Sequence, residues 1–125
     1  MSGAYSEAMV SVTLEASGDL SDYQYYLVKS GTGERRVSVN TSAGGAVVGV
    51  LQNKPDAVGA AATVAISGVV PVIAGDAIDA MAQVTSDSSG RVVAYSETDV
   101  IVGRALQAAT AAGDIISVLL QPYYA

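Results

Sequence analysis

Apolar and polar residues alternate from Met9 to Glu15. Val10, Val12 and Leu14 fall on one side, and Ser11, Thr13 and Glu15 on the other. A period of two predicts a half-buried strand. Residues 16–22 are a polar turn, and Tyr23 to Lys29 reads as a second strand. Beyond the Gly- and Thr-rich turn at 30–34, Arg36 to Asn40 is a short strand with Val37 and Val39 on one face. Ala46 to Gln52 is apolar enough to be buried on both faces. Ala62 to Ser67 and Val69 to Ala74 read as two strands parted by Gly68, the second kept to an edge or bulge by Pro71. Gln83 to Thr85 and Arg91 to Tyr95 flank the turn Ser86-Asp87-Ser88-Ser89-Gly90 and predict a hairpin. Val100 to Leu106 and Ile115 to Leu120 complete about ten short strands.

Two stretches suggest helical turns instead. Asp76 is placed to cap one turn through residues 77–80. The Ala-rich run at 107–112 suits another, ended by Gly113. No βαβ alternation occurs, so the expected fold is all-β, a compact small barrel or sandwich. Residues 1–8 read as a flexible arm and residues 9–125 as a single β domain.

Composition narrows the core. Half of the 125 residues are apolar, yet the aromatics are seven tyrosines with no Phe or Trp. Val, Ile, Leu and Ala must therefore fill the interior, which suits thin β layers. Charged residues are 14%, and the net charge is −6. An acidic chain is repelled by phosphate backbones, so nucleic acid is not an expected partner. Low surface charge points to contacts with other subunits. No apolar run reaches membrane-spanning length, and the first residues lack the basic and apolar regions of a secretory signal, so no membrane partner is expected.

The chain has no Cys and no His. That removes disulfides, thiolate nucleophiles, imidazole metal ligands and the commonest neutral-pH base. No nucleotide-binding or hydrolase motif is present. Asp87 with its neighbouring serines supplies one carboxylate, where a calcium site takes six to eight oxygens, so the loop reads as a turn. Asp76 and Asp79 read as solvated turn residues. No catalytic residue, metal or cofactor is expected.

Candidate interface residues remain. Tyr23, Tyr25 and Tyr26 lie in one predicted strand, with Tyr23 and Tyr25 on one face and Tyr26 on the other. Tyr123 and Tyr124 lie at the C-terminus, and Tyr5 and Met9 at the start. Tyrosine packs on apolar surface with its hydroxyl wet, which suits interfaces, although plain β-propensity also accounts for a Tyr-rich strand. Arg35 and Arg36 suit either a weak phosphate site or an ion pair to a neighbouring acidic subunit.

From residue 45 to 121 the order of segments resembles a known family. It runs Ala46-Val47-Val48-Gly49-Val50, then 62–70, Ala74-Gly75-Asp76-Ala77-Ile78, 84–93, Val102-Gly103-Arg104-Ala105-Leu106 and 112–120. In this order the chain is similar to the decoration (cement) proteins of tailed-phage capsids. The resemblance implies a small β-barrel-like homotrimer on the outer capsid surface. It would bind the major capsid protein after shell expansion and hold capsomers together, without catalysis. Members often carry a Gly near Met81 or Ala82, and this chain does not. Its first 44 residues exceed what a minimal member needs and read as an extra hairpin or arm. The alternative is another phage β module, such as a tail, fibre or carbohydrate-binding domain.

Overall fold

The computed structural model describes residues 6–97 and 99–120. These residues form nine strands: β1 (Glu7–Ala16), β2 (Leu27–Ser30), β3 (Arg36–Val39), β4 (Gly49–Leu51), β5 (Ala61–Ile73), β6 (Gln83–Ser86), β7 (Val92–Ala94), β8 (Gly103–Ala105) and β9 (Ile115–Leu120). All belong to one sheet in the order β1-β3-β2-β4-β5-β9-β8-β6-β7, with β1 also pairing β5. The all-β expectation holds.

The extra pairing closes a ring. β1 runs parallel to β3 at Glu15↔Arg36 and Ala16↔Val37 and antiparallel to β5 from Glu15↔Ala61 onward. β3, β2, β4 and β5 complete the circuit through antiparallel pairs. The rest of the sheet closes on the same strand. β9, β8, β6 and β7 follow β5, and Val92 of β7 returns through an isolated bridge to Ala74, the residue just after β5. The Gly75 N–H donates to the Val92 carbonyl at 2.8 Å. Two small rings therefore share β5.

Each ring has its own core. Ala16, Leu20, Val28, Val37, Leu51, Ala62 and Val64 cluster in the first. A larger cluster, including Val70, Val72, Ile78, Val84, Val92, Val118 and Leu120, fills the second and reaches Leu27 and Val50. Every buried hydrophobic side chain among the described residues is Ala, Val, Leu or Ile. Small branched residues suit rings too narrow for larger ones.

β5 spans both predicted strands at 62–74 without interruption. Gly68 stays in the ladder opposite Leu120 at a φ of +92°, so it bends the strand rather than ending it. Pro71 pairs Ser117, which turns its own N–H to Gln107 Oε1 and its carbonyl to the Leu106 N–H. That orientation makes Pro71↔Ser117 a pair without ladder hydrogen bonds, and the missing proline N–H costs nothing there.

Three expectations need correction. The described residues contain no helix. The two stretches expected to be helical turns pair with each other: Ile78 and Ala109 exchange N–H···O bonds of 2.9 Å each way. Those groups are then unavailable for helical bonds. Asp76 Oδ1 accepts from the Ala77 N–H at 2.8 Å, as a turn residue and not a helix cap. Tyr23 to Tyr26 form a turn, and β2 begins only at Leu27. Finally, β1 is less buried than its alternation suggests, with residues 7–13 all exposed. The strand begins at Glu7, two residues before Met9.

Candidate functional site

The turn that replaces the predicted tyrosine strand changes which rings meet. Tyr23 and Tyr26, expected on opposite faces, lie edge to face with ring centroids 5.1 Å apart and planes at 88°. The Tyr26 N–H donates to the Tyr23 carbonyl at 3.0 Å, which closes the turn and draws the rings together. Tyr23 also packs against the first core. Tyr25 has left-handed backbone at a φ of +72°. Its N–H donates to the Leu51 carbonyl at 2.7 Å, and its carbonyl accepts from the Ile73 N–H at 3.0 Å. Tyr25 thus ties the turn to β4 and to the end of β5. All three tyrosines are half-buried.

Tyr23 and Tyr26 form one wall of an open cleft of about 450 Å³. Val39 lines it from the end of β3, Asn40 and Thr41 from the chain just after it, and Ser88, Ser89 and Arg91 from the β6–β7 turn. Asn40 is 1% exposed, and its Nδ2 donates to the Ser42 carbonyl at 2.9 Å and to Ser86 Oγ at 2.7 Å. Asp87 shapes the facing turn, because its Oδ1 accepts from the Ser89 and Arg91 N–H groups at 2.8 and 2.9 Å. Its Oδ2 lies 3.5 Å from Arg91 Nε. Both oxygens of the one carboxylate in this turn are engaged within it. No group of three or more Asp, Glu, Cys or His side chains suited to a metal occurs among the described residues.

The second group of candidates meets at the end of β1. Arg36 Nε lies 3.4 Å from Glu15 Oε1, an ion pair within this chain. Arg35, at a φ of +59°, donates from Nη2 to the Thr13 carbonyl at 2.9 Å. Both arginines therefore brace the β1–β3 junction. Met9 lies further along the same strand and is 37% exposed. Val10 and Val12 are 52% and 38% exposed. Sequence reading placed those valines inward, because alternation reports that a strand has two faces but not whether the apolar one is covered. Tyr5, Tyr123 and Tyr124 lie outside the described residues.

Two carboxylates are tuned by local hydrogen bonds. Asp114 Oδ2 accepts from Thr110 N–H at 2.8 Å, Thr110 Oγ1 at 2.9 Å and Ala111 N–H at 3.3 Å. These bonds, led by that from the Thr110 backbone, hold its pKa below the ordinary 3.8. The Ser21 hydroxyl and N–H lower Asp19 in the same way. Asp19 is an exposed turn residue and Asp114 a half-buried one.

No curated protein matches the sequence. Among solved structures, the N base of the head fiber gp8.5 of bacteriophage phi29 is similar, with a TM-score of 0.70 at 21% identity. The alignment covers 90% of this chain and 94% of that one, so the two share a fold. The model of the phage cement protein family matches residues 5–120. With nearly its whole length matched, this chain belongs to the phage cement protein family.

Proposed function

We propose that this protein binds the outer surface of an expanded phage capsid and stabilises the shell there, without catalytic activity of its own. The observation that carries the reading is the family match over residues 5–120. The physical features accord with it. Two closed rings leave few open sheet edges, which makes a rigid block suited to bridging neighbours. A net charge of −6 favours the outside of the shell over its DNA-filled interior. The major capsid protein is the partner in this reading, and three copies associate around a three-fold axis through heterologous contacts. The Tyr23–Tyr26 pair beside its cleft and the Arg35–Arg36 corner are the contact candidates, with residues 1–5 as an arm.

Stabilisation follows from linkage. A protein that binds only the expanded shell lowers the free energy of that state by about 2.7 kcal/mol per site at a hundredfold excess over Kd. The experiment mixes purified protein with expanded undecorated shells and with unexpanded ones. Saturable binding to the expanded form alone, with a higher shell-disruption temperature, is expected. Equal binding to both forms, or no gain in shell stability, would refute the proposal. Deleting residues 2–5 leaves β1 whole, and it should weaken shell binding while the melting temperature of the free protein stays unchanged.

A further inference from the structure

The cleft beside Tyr23 and Tyr26 is locally positive in a chain whose net charge is −6. Lys29 Nζ donates to Thr41 Oγ1 at 2.8 Å, which holds the ammonium at the rim. No carboxylate of a described residue lies within ion-pair distance of it. Arg91 lines the cleft from the β6–β7 turn. Its Nε is buried, makes no hydrogen bond and lies 3.5 Å from Asp87 Oδ2. Asp87 thus meets the guanidinium along its buried edge, and the two terminal amino groups make no hydrogen bond to a described residue. Two cations stand against one carboxylate, whose other oxygen already accepts from the Ser89 and Arg91 N–H groups.

The lining decides the chemistry of an occupant. It contains no Asp or Glu. Its one amide carbonyl, Asn40 Oδ1, accepts from the Ser42 N–H at 3.4 Å, and the amide nitrogen is engaged by Ser42 and Ser86. The side-chain groups left over are cationic N–H donors and the hydroxyls of Tyr23, Tyr26, Ser88 and Ser89, which can all donate. A neutral sugar brings donors of its own and finds no carboxylate or free side-chain amide oxygen in the lining to receive them. A carboxylate brings only acceptors, and the terminal amino groups of a guanidinium match its two oxygens. The tyrosine wall offers ring surface to the apolar stem that carries such a group.

We propose, resting on the shell-binding reading above, that this cleft receives a carboxylate side chain, Asp or Glu, carried on a loop of the shell protein. Arg91 and Lys29 meet the charge, and Tyr23 and Tyr26 pack on its stem. Repulsion between two acidic surfaces is screened beyond about 8 Å at physiological salt, so the local excess of positive charge governs the docked contact. One partly exposed charge contact is weak alone, and it gains from repetition within a trimer.

Glutarate, a stand-in for the Glu side chain, and its neutral counterpart glutaramide are titrated into the free protein. Amide resonances of Lys29, Thr41 and residues 88–91 should shift saturably in the millimolar range with glutarate and not with glutaramide. Lys29→Gln and Arg91→Gln should each weaken glutarate binding, and binding to expanded shells, by about three- to tenfold. The Lys29 side chain has only the Thr41 hydroxyl as a partner among the described residues, so Lys29→Gln should melt with the parent even if loss of the Asp87 contact lowers Arg91→Gln. Arg91→Lys keeps the charge and should recover part of the loss. Equal shifts with glutaramide, or none with glutarate, overturn the proposal. Glucuronate that saturates at about tenfold lower concentration than glutarate assigns the cleft to an acidic sugar and overturns it too. If both Gln variants bind as the parent does, on shells that the parent binds, the proposal falls and the shell reading stands. A parent that binds no expanded shell overturns both.

Discussion

The carbonyl of Ala8 occupies the space that a β-carbon on Gly68 would need. Ala8 itself has a φ of +51°, and the β1–β5 register shifts between Glu7 and Val10. The bend in β5 and the kink in β1 are thus one fitted contact. Gly68→Ala pays twice, through a φ of +92° and through collision with backbone that no rotamer can relieve. A loss of about 2–4 kcal/mol is expected, with faster amide exchange at residues 9–11. Gly59→Ala is the control. Its φ is +83° but nothing lies within 4 Å of the added carbon, so about 1 kcal/mol is expected. Equal losses in denaturant titrations of the two variants would show that the fitted contact is not what Gly68 provides.

Met81 is left-handed at a φ of +69°, although it is 55% exposed. Its N–H donates to the Ala105 carbonyl at 2.7 Å, and its own carbonyl accepts from Arg104 Nη1 at 2.7 Å, which hold it there. Glycine suits this backbone, and cement proteins often place one near here. Met81→Gly should stabilise the protein by about 0.5–1 kcal/mol, the relief of strain exceeding the greater freedom of the unfolded chain. A lower midpoint in urea would contradict this.

Asn40 joins the chain after β3 to the end of β6 through its bonds to Ser42 and Ser86. Asn40→Ala should cost about 2 kcal/mol, because buried polar groups lose a partner. Thermal unfolding measures it, and a near-neutral result would mean that water replaces the amide.

Asp114 titrates below its ordinary value because its carboxylate accepts three hydrogen bonds. With the folded pKa depressed, the stabilisation is fully present above 3.8 and is lost as pH falls through the folded value. Carboxyl chemical shifts should give Asp114 a midpoint below 3.8. In Asp114→Asn the stability difference from the parent should shrink as the medium becomes strongly acidic. An Asp114 midpoint at or above 3.8 would sink the claim.

Tyr26→Leu keeps an apolar side chain but removes the edge-to-face contact with Tyr23. A loss of about 1 kcal/mol in the free protein is expected. If the tyrosine cleft meets the shell, binding should fall by more than that. A loss in binding no greater than the loss in stability would remove the cleft from the contact surface.

Much of the fold was legible because its strands follow local pattern. β9 runs from Ile115 to Leu120 as its apolar run predicts, and β3 begins at Arg36 as expected. What escaped depends on partners distant in sequence. Tyr23 to Tyr26 have strand propensity, but the bonds of Tyr25 to Leu51 and Ile73 impose a turn. Residues 77–80 and 107–112 suit helical turns until Ile78 meets Ala109. The cleft was half legible, since the tyrosines stood out while Asn40 and Arg91 carried no local signal. The exposure of Val10 and Val12 was not legible at all, because period two is the same whether or not a face finds cover.

β5 is the one member common to both rings, and two of its three neighbours grip different lengths of it. β1 pairs residues 61–69 and β9 pairs residues 68–73, both antiparallel. A pull between β1 and β9 therefore travels lengthwise through β5. Ladder bonds lie across the strands, so such a load shears many at once instead of peeling them singly. Tension entering through one ring leaves through the other along a single covalent chain, as in a tie rod set through two collars.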